Sequence, residues 1–245
     1  MIDTGIYCEN NDFTGKKIGS CTFGYSTVVE NGVTDETDGN GHGTHCAGTI
    51  GGQQWGAAKE ANLIAVKVLS DAGSGTKSQT IAGVDWVVEQ ADTTGRKSVA
   101  NLSLGGSFSQ AQNDALAAAY DAGVLMVVAA GNDNYDACNN SPASEPTAVT
   151  VAASDINNVR AGYSNYGPCV DIFGPGSSIT SAWIGSPSAT NTISGTSMAT
   201  PQVCGTAAKF LSGDNSLDPA ALTQKLLDDA DVDQITDVQG SPNLM

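Results

Sequence analysis

Short apolar runs alternate with stretches of helical spacing along the chain. Ala61 to Leu69, Ser98 to Leu104, Val124 to Ala130 and Thr147 to Ala153 are almost continuously apolar or small. That is the pattern of strands buried on both faces of a parallel sheet. Between them, Ser78 to Asp92 and Ser109 to Ala122 carry helical periodicity, with Gly95 and Gly123 placed as stop signals. Asp218-Pro219 ahead of Ala220 to Ala230 reads as a capped terminal helix. Strands alternating with helices imply right-handed crossovers and an α/β three-layer sandwich with a mostly parallel central sheet. Ligands of such folds bind at the carboxyl ends of the strands.

The sharpest change of pattern lies at Gly195 to Pro201, where a Gly/Thr/Ser-rich approach gives way to the small and apolar run Met198 to Leu211. It predicts a loop feeding a buried helix, with Ser197 in the first turn and Pro201 tolerated because first-turn amides lack an intrahelical partner. A serine at such a boundary is most often a helix cap. Here its neighbours are also free backbone N–H groups, which suit an oxyanion forming beside its hydroxyl. A serine becomes a nucleophile when a histidine takes its proton and a carboxylate orients that histidine. The chain has two histidines, His42 and His45. Both lie in Asp38-Gly39-Asn40-Gly41-His42-Gly43-Thr44-His45-Cys46-Ala47-Gly48, a second Gly-rich loop entering a small-residue helix.

Asp3-Thr4-Gly5, Gly41 to Gly48 and Gly195 to Pro201 resemble, in that order, the three signatures of the subtilisin-like serine proteases. Ser103-Leu104-Gly105-Gly106, Ala129-Ala130-Gly131-Asn132, Ser141 to Pro146 and Asp171 to Gly176 are similar to the proteinase K branch of that family. The resemblance covers almost the whole chain. It implies Ser197 as nucleophile, His42 as general base and acid, Asp3 as the group orienting the imidazole, and Asn132 as an oxyanion donor. Gly73-Ser74-Gly75 and Ser103-Leu104-Gly105 would pair with an extended substrate by β-augmentation. The first specificity pocket would lie between Ser103 to Gly105 and Ala129-Ala130-Gly131, whose small uncharged walls predict apolar or aromatic side chains before the scissile bond. The carbonyls of Pro146 and Ala148 with the Asp171 carboxylate match a calcium site of proteinase K, and hard oxygen donors suit that ion.

By the same resemblance His45 is a structural histidine beneath the site, and Cys138 pairs with Cys169 as in some bacterial relatives. Cys46 and Cys204, on apolar or small-residue helices, read as buried thiols. Cys8 and Cys21 can close a short loop only if geometry brings them within range. Two departures stand out: Gln202 replaces the histidine common after the serine-motif proline, and Val149 lies nearest to one of the absent proteinase K disulfide cysteines.

Length and charge bound the rest. A chain of 245 residues with 40% hydrophobic content reads as one domain, residues 1–245. Only Met1 and Ile2 precede Asp3, where the family has a buried strand, and Ser241 to Met245 resembles the start of its closing segment. The peptidase domain is therefore read as cut short at the N-terminus and slightly at the C-terminus, without signal peptide or pro-segment. A strand missing from the sheet centre would leave unpaired backbone and an apolar groove. The formal charge of −16 argues against nucleic acid and anionic membranes as partners. The expected partners are polypeptide substrates and a pro-segment or protein inhibitor; the expected state is a secreted monomer. Hydrolysis of activated esters follows from the same chemistry. The rival reading is an inactive subtilisin-fold fragment that binds peptide without turnover.

Overall fold

The computed structural model describes residues 1–30 and 33–245. Its central layer contains β1 (Ile2–Asp3), β2 (Cys21–Ser26), β3 (Leu63–Lys67), β4 (Val99–Leu102), β5 (Leu125–Ala129), β6 (Val149–Ser154) and β7 (Ile172–Pro175). Helices α1 (Asn11–Thr14), α2 (His42–Gly51), α3 (Lys77–Thr94), α4 (Gln110–Asp121), α5 (Thr196–Gly213) and α6 (Pro219–Asp228) accompany it. The strands pair in parallel in two ladders, in the orders β1-β3-β2 and β7-β6-β5-β4. The ladders meet where β1 lies beside β4 without joining it.

Alternation within the apolar runs now has a cause. Leu125 and Val127 point to the face covered by α2, α5 and α6, against Ala47, Val203 and Leu222. Met126 and Val128 point to the face covered by α3 and α4, against Val84 and Leu116. Both side-chain sets of one strand are thus buried, so the run is continuous rather than alternating. Each such aliphatic side chain contributes roughly 2 kcal/mol by leaving water.

The expected gap at the sheet centre is narrower than the sequence implies. Ile2 and Asp3 pair with Val66 and Lys67, and Ile2 is fully buried. The strands that periodicity missed have weak patterns. β2 is half-exposed, with a register shift between Phe23 and Tyr25. β7, at the sheet edge, ends in Gly174-Pro175, and Pro is tolerated on an edge. An antiparallel hairpin, Ile179–Ala182 with Thr190–Ile193, lies outside the central layer. Cys8 bonds to Cys21 and Cys138 to Cys169, with Cα separations of 5.5 and 5.3 Å, and Cys46 and Cys204 are buried thiols. Among the described residues, no helix is long and apolar enough to cross a membrane.

Candidate active site

Asp3 is the last residue of β1 and is fully buried. One carboxylate oxygen, Oδ1, accepts the Thr4 N–H at 2.8 Å and faces His42 Nδ1 at 2.7 Å. A carboxylate only accepts, so Nδ1 carries the proton and Nε2 is left with its lone pair. The other oxygen, Oδ2, is buried without a protein donor. A positive charge on the ring would offset that unpartnered end of the carboxylate. Burial disfavours a charged His42, but Asp3, its hydrogen bond and the more distant Asp38 outweigh it and hold the pKa above the ordinary 6.5.

His42 opens α2, and the loop before it is tied by Asp38, which sequence reasoning passed over. Its buried carboxylate accepts the Thr4 hydroxyl at 2.8 Å, the Asn40 and Gly41 N–H groups at 3.1 and 2.9 Å, and the Thr44 N–H and hydroxyl at 2.9 and 2.6 Å. It caps α2 in place of Gly41, which has no side chain to do so. Thr4 in turn accepts the Gly43 N–H at 2.9 Å. The Asp3 segment and the His42 helix are therefore one hydrogen-bonded unit. Glycine is required at 43 because a Cβ there would lie 2.2 Å from the Gly5 carbonyl oxygen. The sequence signal was an Asp at the head of a Gly/Asn-rich loop, where its carboxylate can take the N–H two residues on in an Asx turn, as it does with Asn40.

Ser197 is the second residue of α5. Pro201 is not in the first turn, as the sequence suggested, but is the sixth residue of the helix. A proline there has no N–H for the carbonyl four residues earlier, which is that of Ser197. That carbonyl accepts instead from Ser103 Oγ at 2.9 Å and from Cys46 Sγ at 3.2 Å. Pro201 thereby opens the acceptor by which β4 and α2 grip the serine backbone. The Ser197 hydroxyl donates to the Ser103 carbonyl at 3.2 Å rather than to His42. Cys46, one turn beyond His42, has its sulfur within 4.8 Å of a His42 nitrogen and an Asp3 oxygen. This chain of contacts brings Asp3, His42 and Ser197 to one place. Catalytic hydrogen bonds are often long or misaligned before substrate binds. Asp3, His42 and Cys46 do not form a convincing metal set, since burial raises the Cys46 pKa and keeps it a thiol rather than a thiolate ligand.

Asn132 follows β5. Its Oδ1 accepts the Thr196 N–H at 2.8 Å and the Thr196 hydroxyl at 3.1 Å. Those donors dictate the amide orientation and leave Nδ2 to donate elsewhere. The Ser197 N–H lies in the first turn of α5, where no intrahelical acceptor exists. Asn132 is thus tied to the residue before the serine, and the Ser197 N–H has no acceptor within the helix.

Gly73-Ser74-Gly75 and Ser103-Leu104-Gly105 line one groove of about 470 Å³, together with His42. Ala129, Ala130 and Gly131 are not part of it. Ala129 and Ala130 are buried, and the Gly131 N–H donates to Thr196 Oγ1 at 3.2 Å, which ties this segment to the start of α5. His45 is fully buried, with Nε2 3.0 Å from the Ile179 carbonyl and its ring edge-on to Trp183. Burial drives its pKa down to about 4 against the pull of two backbone carbonyls, so it is neutral.

Asp171 precedes β7. Its Oδ2 accepts the Thr150 N–H at 2.7 Å, and among the described residues no Lys or Arg pairs with it. Burial, only partly offset by that bond, raises its pKa to about 6. Asp171 N–H also donates to the Thr150 carbonyl, which places it beside the segment carrying Pro146 and Ala148. The donor chemistry, a half-buried carboxylate lacking a cation and a neighbouring segment rich in carbonyls, fits calcium.

The fold is of the α/β class with parallel strands, and Asp3, His42 and Ser197 follow one another in the subtilisin order. The profile of the subtilase family matches residues 1–243. The chain belongs to the subtilase family. It is 49% identical over 245 residues to alkaline protease 1 of Aspergillus clavatus, covering 99% of this chain and 59% of that protein. It is 47% identical over 246 residues to a cuticle-degrading serine protease of Arthrobotrys oligospora, with coverage of 99% and 59%. The crystal structure of a cold adapted subtilisin-like serine proteinase superposes with a TM-score of 0.91 at 46% identity, covering 99% of this chain and 85% of that one. The chain thus spans about 59% of the length of the two fungal relatives.

Proposed function

We propose that this chain is a serine endopeptidase that cleaves peptide bonds through an acyl-enzyme. The observation that carries the reading is the 2.7 Å His42–Asp3 contact, with Ser197 in the first turn of α5 and Asn132 bound to the adjoining Thr196. Ser197 Oγ attacks the scissile carbonyl as His42 Nε2 takes its proton. The imidazolium, stabilised by Asp3, then gives that proton to the leaving amine. The Ser197 N–H and Asn132 Nδ2 hold the negative oxygen of the tetrahedral intermediate. Water repeats the cycle to release the acid. Activated esters follow the same route.

The substrate is an extended polypeptide held between Gly73-Ser74-Gly75 and Ser103-Leu104-Gly105, with an apolar or aromatic residue before the cleaved bond. A pro-segment or protein inhibitor would use the same edges. We further propose that residues 1–245 form a single peptidase domain, monomeric and acting outside the cell. Pro146, Ala148 and Asp171 would hold a calcium ion that keeps the half-buried carboxylate ionised and links two neighbouring segments.

A fluorophosphonate probe tests the function. Stoichiometric labelling of Ser197, located by mass, is expected; no labelling of folded protein selects the peptide-binding, non-catalytic alternative. Chelation tests the ion. With calcium absent, a folded pKa near 6 against 3.8 unfolded makes Asp171 cost stability as pH rises through that window. Added calcium should raise the thermal midpoint at pH 7, and Asp171→Asn should abolish the response. A midpoint indifferent to calcium removes the site.

A further inference from the structure

Among the described residues, the groove that carries His42 is lined by no carboxylate, in a chain with 26 acidic and 10 basic residues. Among the described residues, its one charged side chain besides His42 is Lys77. Lys77 is exposed and opens α3, where the positive end of the helix dipole disfavours a cation. Its ammonium donates to Ser107 Oγ at 3.2 Å and to the Phe108 carbonyl at 3.1 Å. It therefore closes the groove between the segment after Gly75 and the edge beginning at Ser103. An ammonium has three donors, and two are spent here on neutral oxygens. No carboxylate pairs with it among the described residues.

Position along the groove follows from the edge itself. Ser103 holds the Ser197 hydroxyl through its carbonyl, and Lys77 reaches the edge at Ser107. Extended backbone advances about 3.3 Å per residue, so the four residues of edge between Ser103 and Ser107 span at most roughly 13 Å, the length of about four substrate residues. The negative charge of the whole molecule repels anionic peptides in general. A local cation acts against that field at one register only.

We infer that Lys77 is a specificity-determining residue that selects extended peptides carrying Asp or Glu about four residues from the cleaved bond. The substrate carboxylate takes the open donor of the ammonium while Ser107 and the Phe108 carbonyl hold the others. This inference rests on the groove being the substrate groove of the proposed protease.

Binding separates the two claims. A Ser197→Ala protein is titrated by fluorescence anisotropy with labelled octapeptides in which one Glu is walked through the sequence, each beside its Gln counterpart. Wild-type kcat/KM is measured on the same peptides. At low ionic strength Glu should exceed Gln about three- to fivefold at one register alone. The difference should vanish in about 1 M salt. Lys77→Gln should abolish it, and Lys77→Glu should turn it into a preference for Lys. Equal binding at every register, or a preference that survives in Lys77→Gln, overturns the inference. A register preference without wild-type turnover sinks the protease reading and leaves the role of Lys77 standing; turnover without the preference does the reverse.

Discussion

His42 and His45 lie one turn apart on the same helix and have opposite chemistry. His42 looks toward the groove, paired at 2.7 Å with a buried carboxylate that raises its pKa. His45 looks the other way, toward the hairpin strand Ile179–Ala182, paired with a neutral carbonyl in a site whose burial lowers its pKa to about 4. Desolvation acts against the charged form of both rings. The difference is a carboxylate on one side and none on the other. One ring can accept and return a proton near neutral pH, and the other is a fixed hydrogen-bonding spacer.

The largest expected effect breaks this pair apart. His42→Ala should lower kcat by at least about 10⁴-fold, while His45→Asn should leave probe labelling of Ser197 intact. Loss of labelling in folded His45→Asn protein would make His45 part of the chemistry.

Asn132→Ala comes next, with kcat falling about 10²–10³-fold and KM nearly unchanged. Steady-state kinetics on one peptide decide it; an unaltered kcat takes Asn132 out of the mechanism.

The third effect is on stability. The unfolded chain protonates His45 near 6.5 and the folded chain only near 4, so folding free energy should fall as pH drops through that window and level off below it. The slope integrates to about 3 kcal/mol. Urea unfolding at several pH values should show it in the wild type, and His45→Asn should flatten it. His42 has the opposite sign: its raised folded pKa contributes stability at acid pH that is lost as pH rises through that value.

The smallest effect concerns Asp38. Removing its charge in Asp38→Asn takes away one of the influences that raise the His42 pKa. The acid limb of the kcat/KM profile, normalised to titrated active sites, should move to lower pH. A shift to higher pH would mean that the carboxylate acts on His42 only through loop geometry.

Most of the central layer was legible from pattern because its strands are buried on both faces. Leu125–Ala129 and Val149–Ser154 fall within two residues of the expected runs. β2 and β7 were not, since a half-exposed or very short edge strand has no strong periodicity. Asp3, His42 and Ser197 stood out through their motifs. Asp38 did not, because four of its five bonds look like ordinary loop chemistry, and the fifth needs Thr4, brought from 34 residues away.

The sequence by itself determined the alternation of strands and helices, the family and the identities of the reactive groups, because periodicity and residue type are local properties. Tertiary structure decided which histidine faces a carboxylate, that Cys8 meets Cys21, and that the Ser197 carbonyl freed by Pro201 is taken by Ser103 and Cys46. It also placed Lys77 in the groove of His42, whose described lining holds no carboxylate. These depend on partners distant along the chain, and no local pattern encodes which partner arrives.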